Sequence, residues 1–166
     1  MLIVQKRVAS QARADAELCL PFERRGKTRQ RAVLTDGEEV GLFLDRGTIL
    51  RSGDCLLGDD GRIVRVVAAP EALMEVRSFN PVALARAAYH LGNRHCPVEI
   101  GDGTVRFPSD HVLAEMMLGM GFAVASISAP FEPEAGAYAA GHHHHSGEAK
   151  HAGIIHDFAQ KRGASE

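Results

Sequence analysis

The chain has no surplus of charge of either sign: 19 Lys and Arg stand against 21 Asp and Glu, with a net charge of -2 and a pI near 6.5. Holding nucleic acid through phosphate neutralisation needs clustered excess cations, so a nucleic-acid partner is not expected. Cysteine is scarce, and Cys19, Cys55 and Cys96 are far apart and in no CxxC arrangement. Neither a disulfide framework nor a zinc ribbon is suggested, which favours a reducing cytosol. Long hydrophobic runs are missing too: nowhere do the roughly 18 consecutive apolar residues of a membrane helix occur. The opening MLIVQKRVAS has no charged segment leading into an apolar core, so a soluble, cytoplasmic protein that is not exported is expected. No Ser-His-Asp pattern, Walker loop, HExxH or GxGxxG is found, and the chain is not expected to be an enzyme.

What is present divides into three textures. Over residues 1–70 the turn dipeptides Asp36-Gly37, Arg46-Gly47, Ser52-Gly53 and Asp60-Gly61 separate short strand-like runs at 31–35, 40–44 and 63–68. Short strands with glycine-containing turns predict a small all-β barrel or sandwich. Over residues 71–130 the pattern is mixed. A strand at 73–78 precedes Asn80-Pro81, which opens a helix with Asn as N-cap and Pro in the first helical position. Leu84, Ala87, Ala88 and Leu91 mark that helix's buried stripe, and Gly92 ends it. Strands at 98–100 and 104–107 flank Gly101-Asp102-Gly103 as a hairpin. Ser109 is the expected cap of a second helix with Val112, Leu113, Met116, Met117 and Met120 on its apolar face, and 122–128 is the last strand. The order βαββαβ is that of a ferredoxin-like domain, so the fold class is α+β. Residues 131–166 are rich in Ala, Gly, His and Glu without a sustained apolar stripe and read as a flexible His-rich tail.

Six of the nine histidines lie in that tail: His142, His143, His144, His145, His151 and His156. Neutral imidazoles concentrated on a flexible chain can wrap around divalent ions, and together they offset the ordering entropy of the segment. The alternative is a purification tag or a solvated linker, although a tag normally forms one uninterrupted run at a terminus. His95 stands just past a helix end and just before a strand. One histidine is a poor metal site, but a two-fold axis near this loop would bring two copies together; the alternative is a histidine hydrogen-bonded in a turn. His111 falls in the first turn of the second helix, exposed beside Glu115, where it is either solvated or an accessory ligand. His90 reads as packing or as interacting with its helix terminus. Cys96 is a potential soft ligand, but adjacent side chains in an extended segment point to opposite faces, so it reads as structural. The methionines fit core packing better than thioether ligation. The run Arg24-Arg25-Gly26-Lys27-Thr28-Arg29-Gln30-Arg31 is either a solvated strand-and-turn edge or a docking surface for an acidic partner.

Gly92-Asn93-Arg94-His95 followed by Cys96-Pro97, then Asp110-His111-Val112-Leu113, then PFEPEAGAY over 130–138 leading into the tail, resemble in that order the UreE family of urease nickel metallochaperones. The Arg-rich segment, GLFLDRG over 41–47 and Gly53-Asp54 extend the resemblance to the whole chain. It implies a homodimer that carries Ni(II) as cargo, with a peptide-binding-like β domain, a ferredoxin-like metal domain and a role in urease maturation. His95 with its symmetry mate would be the principal ligand and His111 an accessory one. The partners implied are a urease accessory GTPase and the urease apoprotein complex. Imidazole also suits Zn(II) and Cu(II), so nickel rests on the resemblance alone. Two other readings remain: a passive storage or detoxification buffer that uses the tail and not His95, and an RNA-binding ferredoxin-like module. The latter is poorly supplied, with only Phe107 and Phe122 as strand aromatics.

Overall fold

The structure, a computed structural model, describes residues 1–9 and 13–135. The first part of the chain forms β1 (Leu2–Val8), β2 (Ala16–Leu20), a short α1 (Phe22–Arg25), β3 (Arg29–Val33), β4 (Glu39–Phe43), β5 (Cys55–Gly58) and β6 (Ile63–Ala68). Six strands pair in the order β2-β6-β5-β1-β4-β3. The sheet curls: the Thr35 N–H, just past edge strand β3, donates to the carbonyl of Glu17 on the other edge strand at 2.9 Å. Inside lie Val4, Leu18, Val40, Leu42, Leu56 and Val64, all at 0% exposure. The turns expected from sequence are there, with Gly37, Gly47, Gly53 and Gly61 at φ between 85° and 93°, a region closed to most side chains.

Three strands of this part are not legible in the sequence, each for a physical reason. A register shift between Val4 and Lys6 breaks the alternation in β1. In the short β5, three of four residues are buried, so no alternation exists to be read. β2 is short and gains its place by parallel pairing with β6, a non-local contact.

The second part runs β7 (Pro70–Arg77), α2 (Pro81–Gly92), β8 (Glu99–Gly101), β9 (Thr104–Pro108), α3 (His111–Gly119) and β10 (Val124–Pro130). Its four-stranded sheet has the order β10-β7-β9-β8 with every pair antiparallel. Val76, Ala87, Leu91, Val105, Phe107 and Met117 form a separate core between helices and sheet. The molecule is therefore α+β with two units, mostly strands. Asn80 caps α2, accepting from the N–H groups of Val82 and Ala83. Asp110, and not Ser109, caps α3, through the N–H groups of Val112 and Leu113. With the helix starting at His111, the buried stripe passes through Leu113, Met116, Met117 and Met120, and Val112 is left 58% exposed. Phe122 donates its N–H back to Met117 in the turn that ends α3, so β10 begins at Val124.

The first residues expected to belong to a mobile tail are packed. Phe131 is fully buried, edge-on to Phe22 with ring centroids 5.7 Å apart. The Arg25 guanidinium, 0% exposed, donates to the carbonyls of Leu50 and Phe131 and pairs with Glu132 at 2.6 Å. Glu132 also receives the Ser52 N–H at 2.8 Å and pairs with Arg51 at 3.1 Å, while its own N–H donates to Glu99. The Glu134 N–H reaches the Val98 carbonyl. Residues 131–134 thus strap the two units together. All six tail histidines lie outside the described residues. No helix among the described residues is long and apolar enough to cross a membrane.

Candidate metal centre

The end of α2 sets the position of His95. Two hydrogen bonds close the helix: the Cys96 N–H to the Leu91 carbonyl at 3.2 Å and the His95 N–H to the Gly92 carbonyl at 2.9 Å. This pair defines a Schellman ending, whose penultimate residue must take a left-handed conformation and is usually glycine. Here it is His95, at φ 55°, the one described residue other than glycine with positive φ. The sequence places Gly92 three residues too early for that duty; it sits inside the helix's last turn. The customary apolar contact across the motif is present, since Leu91 and Cys96 pack in the same core.

The consequence is a histidine held out from the helix end with its ring exposed, on a short, doubly hydrogen-bonded turn. Cys96 faces the other way. It is half-buried; burial pushes its thiol above the ordinary value, and the Asp110 carboxylate pushes it further. Both effects disfavour the thiolate that would bind metal, which agrees with a structural role. Asp110, whose charge reaches the Cys96 thiol, caps α3, and His111 is the exposed first residue of that helix. His90 is half-buried, and its ring meets Tyr89 edge-on at 5.3 Å, a packing contact. Met117 is buried, and Met116 and Met120 pack against the core, so thioether ligation from α3 finds no support.

Among the described residues no group of three or more His, Cys, Asp or Glu side chains is arranged to hold a metal ion. What this part of the chain offers is an exposed imidazole on a doubly hydrogen-bonded turn and a second exposed imidazole at the first residue of α3. A divalent transition ion held there would need further ligands from outside the described residues or from another subunit. Reading the sequence missed the left-handed turn and the role of Asp110. The latter was open to view, because Asp is as good an N-cap as Ser.

The comparisons with known proteins cover both units. Residues 3–69 match the family described as UreE urease accessory protein, N-terminal domain, and residues 71–159 match its C-terminal domain. The chain is 49% identical over 166 residues to the urease accessory protein UreE of Azotobacter vinelandii, covering 98% of this chain and 100% of that protein. It is 56% identical over 138 residues to the UreE of Alkalilimnicola ehrlichii, with 83% of this chain and 85% of the relative covered. The UreE of Burkholderia vietnamiensis is 50% identical over 151 residues, 87% of this chain and 76% of that one.

Proposed function

The chain belongs to the UreE family of urease accessory proteins, and from that premise we propose that it is a cytoplasmic metallochaperone, not an enzyme, which captures Ni(II) and delivers it for urease maturation. In this reading the second unit, residues 71–130, is a ferredoxin-like metal domain. Its order β7-α2-β8-β9-α3-β10 and its sheet order support that. Residues 1–70 are a separate β domain, and the residues that follow 130 lead from the strap into a metal-collecting tail.

The observation that carries the proposal is His95 in a left-handed turn that glycine would adopt without strain. A bulky residue kept in such a position points to a duty of its side chain, since the conformation itself costs on the order of 1–3 kcal/mol. Because one imidazole cannot complete a coordination shell, His95 pairs with its symmetry mate in a homodimer, with His111 as an accessory ligand. The exposed apolar side chains Tyr89 and Val112, on the helices flanking this turn, suit such an interface. His142, His143, His144, His145, His151 and His156 collect ions and pass them to the His95 pair. The cargo then leaves to a urease accessory GTPase bound to the urease apoprotein. Imidazole shells exchange ligands one at a time, which transfer requires. Zn(II) and Cu(II) can occupy the same ligands, and selectivity lies in supply and partner.

The test compares His95→Ala with a chain ended after Ala140. Under limiting nickel, His95→Ala should lose urease activation while total binding in excess metal falls only partly, and the shortened chain should keep one site per dimer by equilibrium dialysis. Undiminished activation by folded His95→Ala, or no nickel binding by the shortened chain, would leave the tail as the metal site and the protein as a passive buffer.

A further inference from the structure

The basic run of the first unit divides in two once folded. Arg24 donates to Gln30 and to the Arg31 carbonyl, Arg25 is buried in the strap, and Lys27 pairs with Glu23 at 2.7 Å. The side chains of Arg29, Arg31 and Arg46 are exposed and form no hydrogen bond or ion pair among the described residues. All three belong to one surface. β3 is an edge strand in which Ala32, like Leu34 just past its end, enters the core, so Arg29, Arg31 and Val33 project from the opposite face. There Arg29 lies across from Phe43, and Arg31 across from Gly41, on β4. Val33 and Phe43, 56% and 49% exposed, lie on the same face as Arg29 and Arg31. A side chain at position 41 would crowd Phe43 and Ile3, so glycine lets those residues close over the strand as one apolar floor. Beside it runs a groove of about 650 Å³ lined by Lys27, Arg29, Phe43, Asp45 and Arg46.

We infer that this face of the β unit is a docking surface for a short acidic segment of a partner protein, with an apolar anchor on Phe43 and Val33 and carboxylates on Arg29, Arg31 and Arg46. Charge complementarity selects the partner: Arg29, Arg31 and Arg46 put three guanidinium groups without a partner among the described residues on one surface, Lys27 beside them is already paired with Glu23, and the whole chain carries a net charge of -2. The mode is recognition by side chains and not strand addition, because the Arg24 guanidinium already occupies the outward Arg31 carbonyl at 2.6 Å. RNA is a poorer fit, since Phe43 is the one aromatic available for stacking here.

The probe is a fluorescein-labelled peptide built of Asp, Glu, Phe and Leu, titrated into the full chain by anisotropy, beside an isomer with Lys for the acids and a labelled single-stranded RNA. The acidic peptide should bind, weaken as salt rises, and lose about tenfold or more in affinity to the R29E/R31E variant. The R29K/R31K variant should retain most of it. Unchanged nickel binding and melting would show the variants folded; if R29E/R31E fails to fold, Arg46→Glu in its exposed turn carries the same expectation. Equal affinity of wild type and charge-reversed protein, no binding of the acidic peptide, tighter binding of the RNA, or self-association that R29E/R31E abolishes would each overturn the proposal.

Discussion

At the scale of the single residue, the ligand role proposed for His95 stands against the stability of its turn. Its left-handed backbone is imposed by two hydrogen bonds from the end of α2, and those bonds do not depend on the side chain. His95→Gly should therefore stabilise the fold. Relief of the Cβ clash, about 1–2 kcal/mol, is partly offset by the greater freedom glycine has when unfolded, leaving roughly 0.5–1 kcal/mol. His95→Ala keeps the strain and should leave melting nearly unchanged. Both lose the imidazole, so calorimetry should separate the two variants while nickel transfer treats them alike. A His95→Gly protein that melts lower than wild type would remove strain from this account.

At the scale of the element, Asp110 does two things that substitution can separate. Its carboxylate caps α3, and its charge raises the neighbouring thiol, second to burial. Asp110→Asn keeps a good cap and removes the charge, so stability should change little while Cys96 becomes more acidic and alkylates faster at fixed pH. Asp110→Ala also loses the cap, at a cost of about 0.5–2 kcal/mol. Peptide-resolved iodoacetamide labelling distinguishes Cys96 from the exposed Cys19. Equal rates in wild type and Asp110→Asn would mean that burial alone governs the thiol.

At the scale of the whole molecule, the strap decides whether two cores behave as one. An alternating charge chain runs Arg77, Glu75, Arg106, Glu99, and reaches Arg25 and Arg51 through the backbone and carboxylate of Glu132. Burial by itself would raise the carboxyls of Glu75 and Glu132. Hydrogen bonds from Arg106 and Arg77 to the first, and from Ser52, Arg25 and Arg51 to the second, outweigh it and hold both below the ordinary value. A carboxyl depressed in the folded state adds stability that is complete above its unfolded pKa, about 4.3, and is lost as pH falls through the lower folded value. Melting temperature should thus hold down to about pH 5 and then drop, and Glu132→Gln should flatten that drop. At neutral pH Glu132→Gln leaves the buried Arg25 without its counter-charge and should cost roughly 1–3 kcal/mol, less than for a wholly buried pair because Glu132 is partly exposed. Ending the chain after Ala140 should leave melting unchanged, whereas ending it at Pro130 removes Phe131 and Glu132 and should lower it or split it into two transitions. Equal melting of the two shortened chains would deny the strap its role.

The sequence by itself determined what depends on near neighbours. The glycine turns at 37, 47, 53 and 61, the Asn80 cap and the βαββαβ order were legible because capping, turn conformation and side-chain period are local properties. The motif around His95 was legible as a pattern and its chemistry as that of imidazole. Tertiary structure decided the rest. It made β2 a strand through distant pairing, buried Phe131 where composition read as tail, and placed His95 in a left-handed turn. It also sorted one basic run into buried, paired and outward-facing arginines. Identical residue types met different fates because long-range contacts, which spacing along the chain cannot report, set which groups lose their water and which keep it.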